Sequence, residues 1–463
     1  MVKLWKHQED IVKFMSTRNS GLVWAGMGTG KTLASLEYIR RTKPKRVLVI
    51  TRKSAISVWQ DEIVKHGFDG LIEVYNANVG SVRLQAGRLN SKLQEIKKPV
   101  FMVLVNYERV WRPPLITALI KAGFNLMLVD ESHRIKAHNS AVSKGVYEIG
   151  KAVPKRFLLT GTPLVNGLMD AYGQWRLIDP KLLVVDTRVK ARYPSFFHFR
   201  NFFCNLEPIR GVYGAYKIVG FKNVDEFNRR MASVTLHIRS ESVLDLPSRI
   251  ETVVPVELPP NALKHYRNLR DRFITDIRSG VVTVDNVLVK SLRLHQLVGG
   301  FIPADNSSEY THIHSAKLDA CFEIIEDLPP AEKVVIFAKY TSEVKALEGE
   351  AVKRGYRVCV LSGSRNELAR WQQGPHEKII IVQIDTGAEG ISLVQAKYVI
   401  YYSVTYSLGT FEQSQARVSR PGQKSSTVWY YYLTAINTID GIIVDALKRK
   451  AKINESVYEA LKQ

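Results

Sequence analysis

Short apolar runs separated by helical patterns set the rhythm of the first third of this chain. Residues 22–25 (Leu-Val-Trp-Ala) read as a buried strand, followed by a glycine-rich loop and a helical pattern over 31–41. Further apolar runs fall at 46–51, 100–105, 126–129 and 156–159. Runs without polar alternation belong to strands covered on both faces, and strands alternating with helices predict a parallel sheet. The last third repeats the pattern at 333–337, 356–361, 378–382, 398–402 and 428–433, without a glycine-rich loop of its own. A basic helix is predicted over 439–461. The middle behaves differently. Residues 181–230 are rich in aromatic and basic residues and have no strand–helix rhythm. Residues 259–299 read mainly as helix, with Leu263, Tyr266, Leu269 and Phe273 spaced for one face. The patch Asp305-Asn306-Ser307-Ser308 predicts a loop. The expected organisation is α/β: a first domain over 1–180, a largely helical insertion and linker over 181–312, and a second α/β domain over 313–463.

Composition adds a partner to this picture. The chain has 463 residues, enough for two or three domains with real cores. Lys plus Arg number 66 against 44 Asp plus Glu, a formal charge of +22, so the natural partner is a polyanion, nucleic acid foremost. Cys204, Cys321 and Cys359 lie far apart and form no CxxC pair, which argues against a zinc site or a disulfide framework. The polar first ten residues begin no signal peptide, and no apolar run reaches the ~18 residues that span a membrane. The expectation is a cytoplasmic, non-secreted protein, nucleoid-associated or in a host cytoplasm, monomeric, without a membrane and with no sign of a protein partner.

The candidate chemistry lies in motifs. Gly26-Met27-Gly28-Thr29-Gly30-Lys31-Thr32 follows a predicted strand and opens a predicted helix, the setting of a phosphate-binding loop. Its glycines let backbone N–H groups approach phosphates, and the helix N-terminus favours their charge. Gly26, Gly28, Thr29 and Gly30 would form the cradle, Lys31 would contact the β- and γ-phosphates, and Thr32 would ligate Mg2+. Ala25 stands where such loops often carry a first glycine. Asp130 and Glu131 end the apolar run 126–129. Two carboxylates there suit one metal and one water, with Asp130 on Mg2+ and Glu131 polarising the attacking water. Arg417 and Arg420 lie three apart, on one face if the segment is helical. Guanidinium groups stabilise charge on a transferring phosphoryl group, which makes these two candidate arginine fingers. Gln8 carries an amide that could both donate to and accept from an adenine edge.

In this order the motifs resemble the SWI/SNF-type branch of the superfamily 2 helicase-like ATPases, and in particular its compact stand-alone members from bacterial viruses. Asp130-Glu131-Ser132-His133-Arg134-Ile135-Lys136 is similar to that branch's DEAH-R-I-K element, and Leu159-Thr160-Gly161-Thr162-Pro163-Leu164-Val165-Asn166 to its LTGTPLxN element. His237-Ile238-Arg239-Ser240 followed by Asp245-Leu246-Pro247, Leu361-Ser362-Gly363-Ser364, the run from Arg417 to Gln423, and Trp59 with Glu62 resemble further elements, so the likeness covers nearly the whole chain. The resemblance implies two RecA-like lobes, use of ATP with Mg2+, and ATP-driven tracking along duplex DNA. It places Gln8, Gly28, Gly30, Lys31, Thr32, Asp130, Glu131, Gly390, Arg417 and Arg420 at the nucleotide. It makes His133, Thr160 and Thr162 links between nucleotide and DNA, and sets Thr386, Gly387, Ser392 and the Trp59 region near the DNA track. The sequence departs from the pattern at Ser132, Glu389 and Pro421, and at 403–407, where the family's Asp and Trp-Asn-Pro are missing.

The insertion adds Arg188, Lys190, Arg192, Arg200, Arg210, Lys217, Lys222, Arg229 and Arg230, interleaved with aromatics such as Phe196, Phe197, Phe199, Phe202 and Phe203. One reading is a wedge for splayed bases at a DNA junction. The other is a helical subdomain with an aromatic core and a solvated basic face. For the whole chain the leading expectation is an ATP-dependent double-stranded DNA translocase that remodels forks or four-way junctions. The alternatives are a motor subunit that moves proteins on DNA, an RNA helicase, and a binding module with a dead ATPase. The last is opposed by intact Lys31, Asp130, Glu131, Arg417 and Arg420.

Overall fold

The computed structural model describes residues 3–184, 195–208, 216–278, 284–303, 310–387 and 391–461. The chain forms two compact units, one of residues 1–207, 218–244 and 452–463, the other of 208–217 and 245–451. Both are built on a parallel sheet, as the alternating pattern predicts.

The first unit carries seven parallel strands in the order Ile72–Asn76, Val100–Asn106, Arg46–Thr51, Leu126–Asp130, Lys155–Thr160, Ser20–Ala25 and Thr235–Ile238. Neighbouring residues of one strand enter opposite cores. Leu48 and Ile50 pack on one face of the sheet, Val47 and Val49 on the other. Such strands need apolar residues at every position, and all of Val100–Asn106 is buried. The five inner runs are the ones legible in the pattern. The two edge strands, Ile-Glu-Val-Tyr-Asn and Thr-Leu-His-Ile, are only partly buried and mix polar with apolar residues, which hides them from a search for apolar runs.

The aromatic stretch of the insertion belongs largely to this same core. Helix Phe196–Phe203 is capped by the Ser195 hydroxyl, which accepts from the Phe197 N–H. Phe199 and Phe203 are fully buried beside Trp175 and Phe227. Trp175 stacks on Phe227 at 4.8 Å, and the Phe199 ring meets that of Phe203 at 4.8 Å. Phe196 stacks on His138 at 4.0 Å, whereas Phe197 is 54% exposed. Arg230 donates to the carbonyls of Leu182 and Val184 and pairs with Glu226, so one of the insertion's cations has a structural role. Arg188, Lys190, Arg192 and Arg210 lie outside the described residues.

The second unit carries six parallel strands in the order Ser248–Val256, Thr427–Ala435, Tyr398–Tyr401, Val334–Ala338, Ile379–Gln383 and Val358–Leu361. Five follow the predicted runs. The sixth, Ser248–Val256, is largely exposed and alternates polar with apolar residues, so it reads weakly as a strand. The helical stretch 259–299 becomes two helices, Pro260–Arg278 and Val284–Val298, and the C-terminal helix spans Ile439–Leu461 as predicted. The Asp305–Ser308 patch lies outside the described residues.

A buried polar cluster pins the start of that last helix to the second sheet's helical layer. Lys317 Nζ lies 2.6 Å from Asp440 Oδ2, with both side chains buried. Asp440 Oδ2 also accepts the Ala435 N–H. His295 lies 3.4 Å from Asp440 Oδ1 and 3.0 Å from the Tyr340 hydroxyl. Burial lowers its imidazole pKa to about 4, which keeps it neutral. Ser403, in the segment that departs from the family pattern, donates to buried Glu343 at 2.6 Å. Cys204, Cys321 and Cys359 are buried free thiols, and no helix among the described residues is long and apolar enough to cross a membrane.

Phe197 and Phe199 sit two residues apart with opposite surroundings. Phe199→Ala should destabilise the protein by about 3–5 kcal/mol through the cavity it leaves. Phe197→Ala should change stability by no more than about 0.5 kcal/mol. Urea denaturation of the two variants, followed by tryptophan fluorescence, checks the difference.

Candidate functional site

The candidate residues of the first unit collect at the carboxyl ends of its central strands, the edge at which parallel α/β sheets bind ligands. Strand Ser20–Ala25 ends in the glycine loop, Leu126–Asp130 ends in the acidic pair, and Lys155–Thr160, which carries Thr160, runs between them.

The loop is shaped before any phosphate arrives. Gly28 and Gly30 have φ of 77° and 78°, and Gly30 occupies the N-cap of helix Lys31–Thr42. A side chain at Gly30 would be strained by that φ, and its Cβ would also lie 2.3 Å from the Gln8 amide nitrogen. Gln8 is buried. Its Nε2 donates to the Thr29 carbonyl at 3.2 Å, and its Oε1 accepts the Trp5 N–H at 3.0 Å. His7 Nε2 lies 2.9 Å from the same Thr29 oxygen. Helix Lys6–Ser16 therefore braces the loop from behind. From the other side, Ser240 donates to the Met27 carbonyl at 2.9 Å, and a Cβ at Gly26 would lie 2.1 Å from the Ser240 hydroxyl. Thr29 Oγ1 closes the turn on the Gly26 carbonyl at 2.8 Å. Lys31 Nζ donates to the carbonyls of Ala25 at 2.8 Å and Gly26 at 3.1 Å, which holds the ammonium over the loop. Thr32 is half-buried at the first turn of the helix.

Asp130 and Glu131 sit at the strand end as adjacent acids. Asp130 is half-buried, and desolvation with the neighbouring Glu131 charge pushes its pKa up. Thr51 Oγ1 donates to Asp130 Oδ2 at 2.9 Å and Trp59 Nε1 donates to the same oxygen at 3.1 Å. The Tyr107 hydroxyl donates to the Asp130 carbonyl. Glu131 adopts a left-handed φ of 53°, which turns the chain sharply after the strand. Hard oxygen donors in this place fit Mg2+, which commonly binds through one or two carboxylates together with substrate phosphates. A dication beside Asp130 would also neutralise an acid that burial otherwise disfavours.

His133 links this pair to the Thr160 strand. Its Nε2 is 3.2 Å from Arg52 Nη2, and a guanidinium only donates, so Nε2 is the accepting nitrogen. Nδ1 then carries the proton, 3.2 Å from Thr160 Oγ1 and 3.4 Å from Glu131 Oε2. Thr160 Oγ1 also accepts the Thr162 N–H at 3.1 Å. His133, Thr160 and Thr162 thus form one hydrogen-bonded chain, with Glu131 Oε2 beside it. Ser132 is buried and donates to Gln174 Oε1 at 2.9 Å, which gives the hydroxyl at this departure a partner.

In the second unit, Arg417 lies in helix Leu408–Val418, but Arg420 does not. The expected shared helical face is corrected here: the helix ends at Val418, before Pro421, whose ring disfavours helix at the residue ahead of it. The two arginines instead meet a common segment. The Leu393 N–H donates to the Arg417 carbonyl at 2.9 Å, and Arg420 Nη1 donates to the Ile391 carbonyl at 3.2 Å. Burial lowers the Arg420 pKa. Ser392 lies in that segment, with its carbonyl held by Gln372. Thr386 and Gly387 end the short helix Ile384–Gly387, and Gly390 lies outside the described residues.

Trp59, whose region is expected near the DNA track, is a core residue. It is 1% exposed, which leaves no ring face for DNA, and its N–H reaches Asp130. Sequence reasoning also missed Thr51, Arg52, Tyr107 and Ser240 as neighbours of the site. Thr51 and Arg52 follow the second strand directly, so the carboxyl-edge rule could have found them. Tyr107 and Ser240 likewise lie just beyond strands Val100–Asn106 and Thr235–Ile238, and Ser240 sits in the quoted His237–Ser240 motif, but their contacts with the site are not local in sequence.

Family models and curated proteins match nearly the whole chain. A family model described as the SNF2-related domain matches residues 7–298, and the helicase conserved C-terminal domain matches residues 316–422. The chain is 24% identical to putative protein p41 of Acyrthosiphon pisum secondary endosymbiont phage 1, over 99% of this chain and 98% of that protein. It is 23% identical to the DNA annealing helicase and endonuclease ZRANB3 of Bos taurus, over 100% of this chain and 41% of that protein. It is 25% identical to the human DNA repair and recombination protein RAD54B, over 96% of this chain and 54% of that protein. The chain therefore spans only part of these two longer relatives. The solved Sulfolobus solfataricus SWI2/SNF2 ATPase core in complex with dsDNA aligns over 98% of this chain and 92% of that one, at 20% identity and a TM-score of 0.44. The first model alone takes in more than half of the residues, and the chain belongs to the SNF2-related family of helicase-like, DNA-dependent ATPases.

Proposed function

We propose that this protein is an ATP-dependent double-stranded DNA translocase that remodels branched DNA by fork reversal, annealing or branch migration. The observation that carries the reading is the connected edge of the first sheet, where Thr160 lies between the phosphate loop and the acidic pair and is bonded to His133. Lys31 and the loop amides would hold the phosphates, Thr32 and Asp130 would hold Mg2+, and Glu131 would orient the attacking water. When bound, the metal neutralises charge on the β- and γ-phosphate oxygens. Removing the γ-phosphate alters what Glu131 faces, and His133 passes that change to Thr160 and Thr162. Arg417 and Arg420 are the candidate arginine fingers, groups that stabilise charge on a transferring phosphoryl group. The net charge of +22 supports backbone contacts as the source of DNA affinity. The names of ZRANB3, an annealing helicase, and RAD54B, a repair and recombination protein, support remodelling over transport of bound proteins.

ATPase rates measured side by side with duplex, single-stranded and forked DNA and with RNA test the substrate. Duplex or forked DNA should stimulate most, and RNA stimulation of equal size would reject the reading. Binding should weaken with a log–log salt slope of about −4 to −5, as expected for roughly five neutralised phosphates.

Single substitutions separate the roles. Lys31→Ala should abolish hydrolysis while largely sparing DNA binding, as checked by phosphate release and fluorescence anisotropy. Glu131→Gln should retain nucleotide but turn over slowly. Arg420→Ala should bind ATP and lose about 10³-fold or more in rate. Wild-type turnover by the Arg420 variant would remove it from the active site.

A further inference from the structure

The segment that follows the second strand grips the acidic pair at several points. Thr51 ends strand Arg46–Thr51, which pairs directly with Leu126–Asp130. Its hydroxyl donates to Asp130 Oδ2 at 2.9 Å. Trp59, one helical turn into Ala55–Lys65, donates its indole N–H to that same oxygen at 3.1 Å. Between them, Arg52 reaches His133 at 3.2 Å.

We infer that Trp59, together with Thr51, is a positioning residue for the metal-binding carboxylate, fixing Asp130 by one oxygen so that the other is presented to the hydrated cation. The inference rests on the proposed assignment of Asp130 to Mg2+ and goes beyond it, since Trp59 would otherwise belong to the DNA track. Three observations carry it. Both donors converge on Oδ2, and among the described residues no donor is bonded to Oδ1. A carboxylate held by two donors on one side cannot rotate without breaking both. Trp59 is 1% exposed, so its indole N–H has no water to turn to, and Asp130 is its hydrogen-bond partner. The tryptophan is fixed in turn by its packing in the core that holds Ile56, Ile63, Val49 and Leu104. A ligand held this way arrives preorganised, and partners of metal ligands commonly carry about 10–100-fold in metal affinity.

The same arrangement gives the segment a second consequence. Arg52 is half-buried, and Lys53 and Ser54 are exposed on the stretch between Thr51 and Trp59. A contact with nucleic acid there would act on Asp130 through Thr51 and Trp59, and on His133 through Arg52. Trp59 would then couple DNA to the metal without touching DNA.

The test is Trp59→Phe, which removes the N–H and keeps an aromatic ring, with Thr51→Val as an independent removal of the second donor. Two readouts are needed. The first is binding of a fluorescent ATP analogue with Mg2+ and with EDTA. The second is DNA-stimulated ATPase across a Mg2+ titration. In Trp59→Phe the Mg2+ concentration at half-saturation should rise about tenfold, with a smaller fall in kcat at saturating Mg2+. Nucleotide affinity in EDTA and DNA affinity should stay at the wild-type level. Thr51→Val should move in the same direction, which keeps the inference testable if the tryptophan variant fails to fold. An unchanged Mg2+ requirement in a folded Trp59→Phe or Thr51→Val variant overturns the inference, as does a loss of DNA affinity with Mg2+ dependence intact. If the wild-type protein itself binds nucleotide identically with Mg2+ and EDTA, it is the assignment of Asp130 to the metal that fails.

Discussion

A partly desolvated carboxylate next to a second carboxylate is costly unless each has partners, and Asp130 is the point in the first unit where this cost concentrates. Desolvation and the Glu131 charge both disfavour its ionised form. The protein meets this with carboxylate hydrogen bonds drawn from two different places in the chain, Thr51 at a strand end and Trp59 on the next helix, while Tyr107 after the fourth strand holds the Asp130 backbone carbonyl. Those bonds need the strands to be adjacent and parallel, with their carboxyl ends level. The arrangement of the sheet and the geometry of the acidic pair are therefore one constraint.

The glycine loop obeys a similar logic with backbone in place of side chains. A loop that is to wrap phosphate must keep its N–H groups available, so its carbonyls are the groups tied down. Gln8 and His7 hold the Thr29 carbonyl, Ser240 holds that of Met27, and Lys31 holds those of Ala25 and Gly26. The supports come from residues 7 to 240, nearly the whole first unit. Ser240 lies just beyond the edge strand Thr235–Ile238, so the polar turn after a weakly patterned strand becomes part of the nucleotide site.

In the described part of the insertion the rings follow the second of the two readings, an aromatic core. Rings interleaved with arginines suggest base stacking, yet Phe199, Phe203 and Phe227 are buried with Trp175, and Arg230 is spent on local carbonyls and Glu226. Aromatics bury large areas, and that use wins wherever a core is near. In the second unit a polar cluster takes a comparable structural role. Lys317, Asp440 and a neutral His295 join helices far apart in sequence, a buried arrangement that tolerates little change because losing Lys317 or Asp440 strands the other's charge.

By itself the sequence determined the two parallel α/β units, the inner strands, the glycine loop, the acidic pair and the family, because each rests on local information. A fully buried strand must be apolar at every position, and a phosphate loop needs its glycines in one short run. Only the tertiary structure decided the edge strands, whose half-exposed faces blur the pattern, and the end of the helix at Val418, which separates Arg417 from Arg420. It also decided the use of Trp59. The motif places the Trp59 region near the DNA track without saying what its indole bonds, and its partner lies 71 positions away in sequence. Which side chains meet across strands depends on the order of strands in the sheet, and that order is settled by packing over the whole unit rather than by any local stretch of residues.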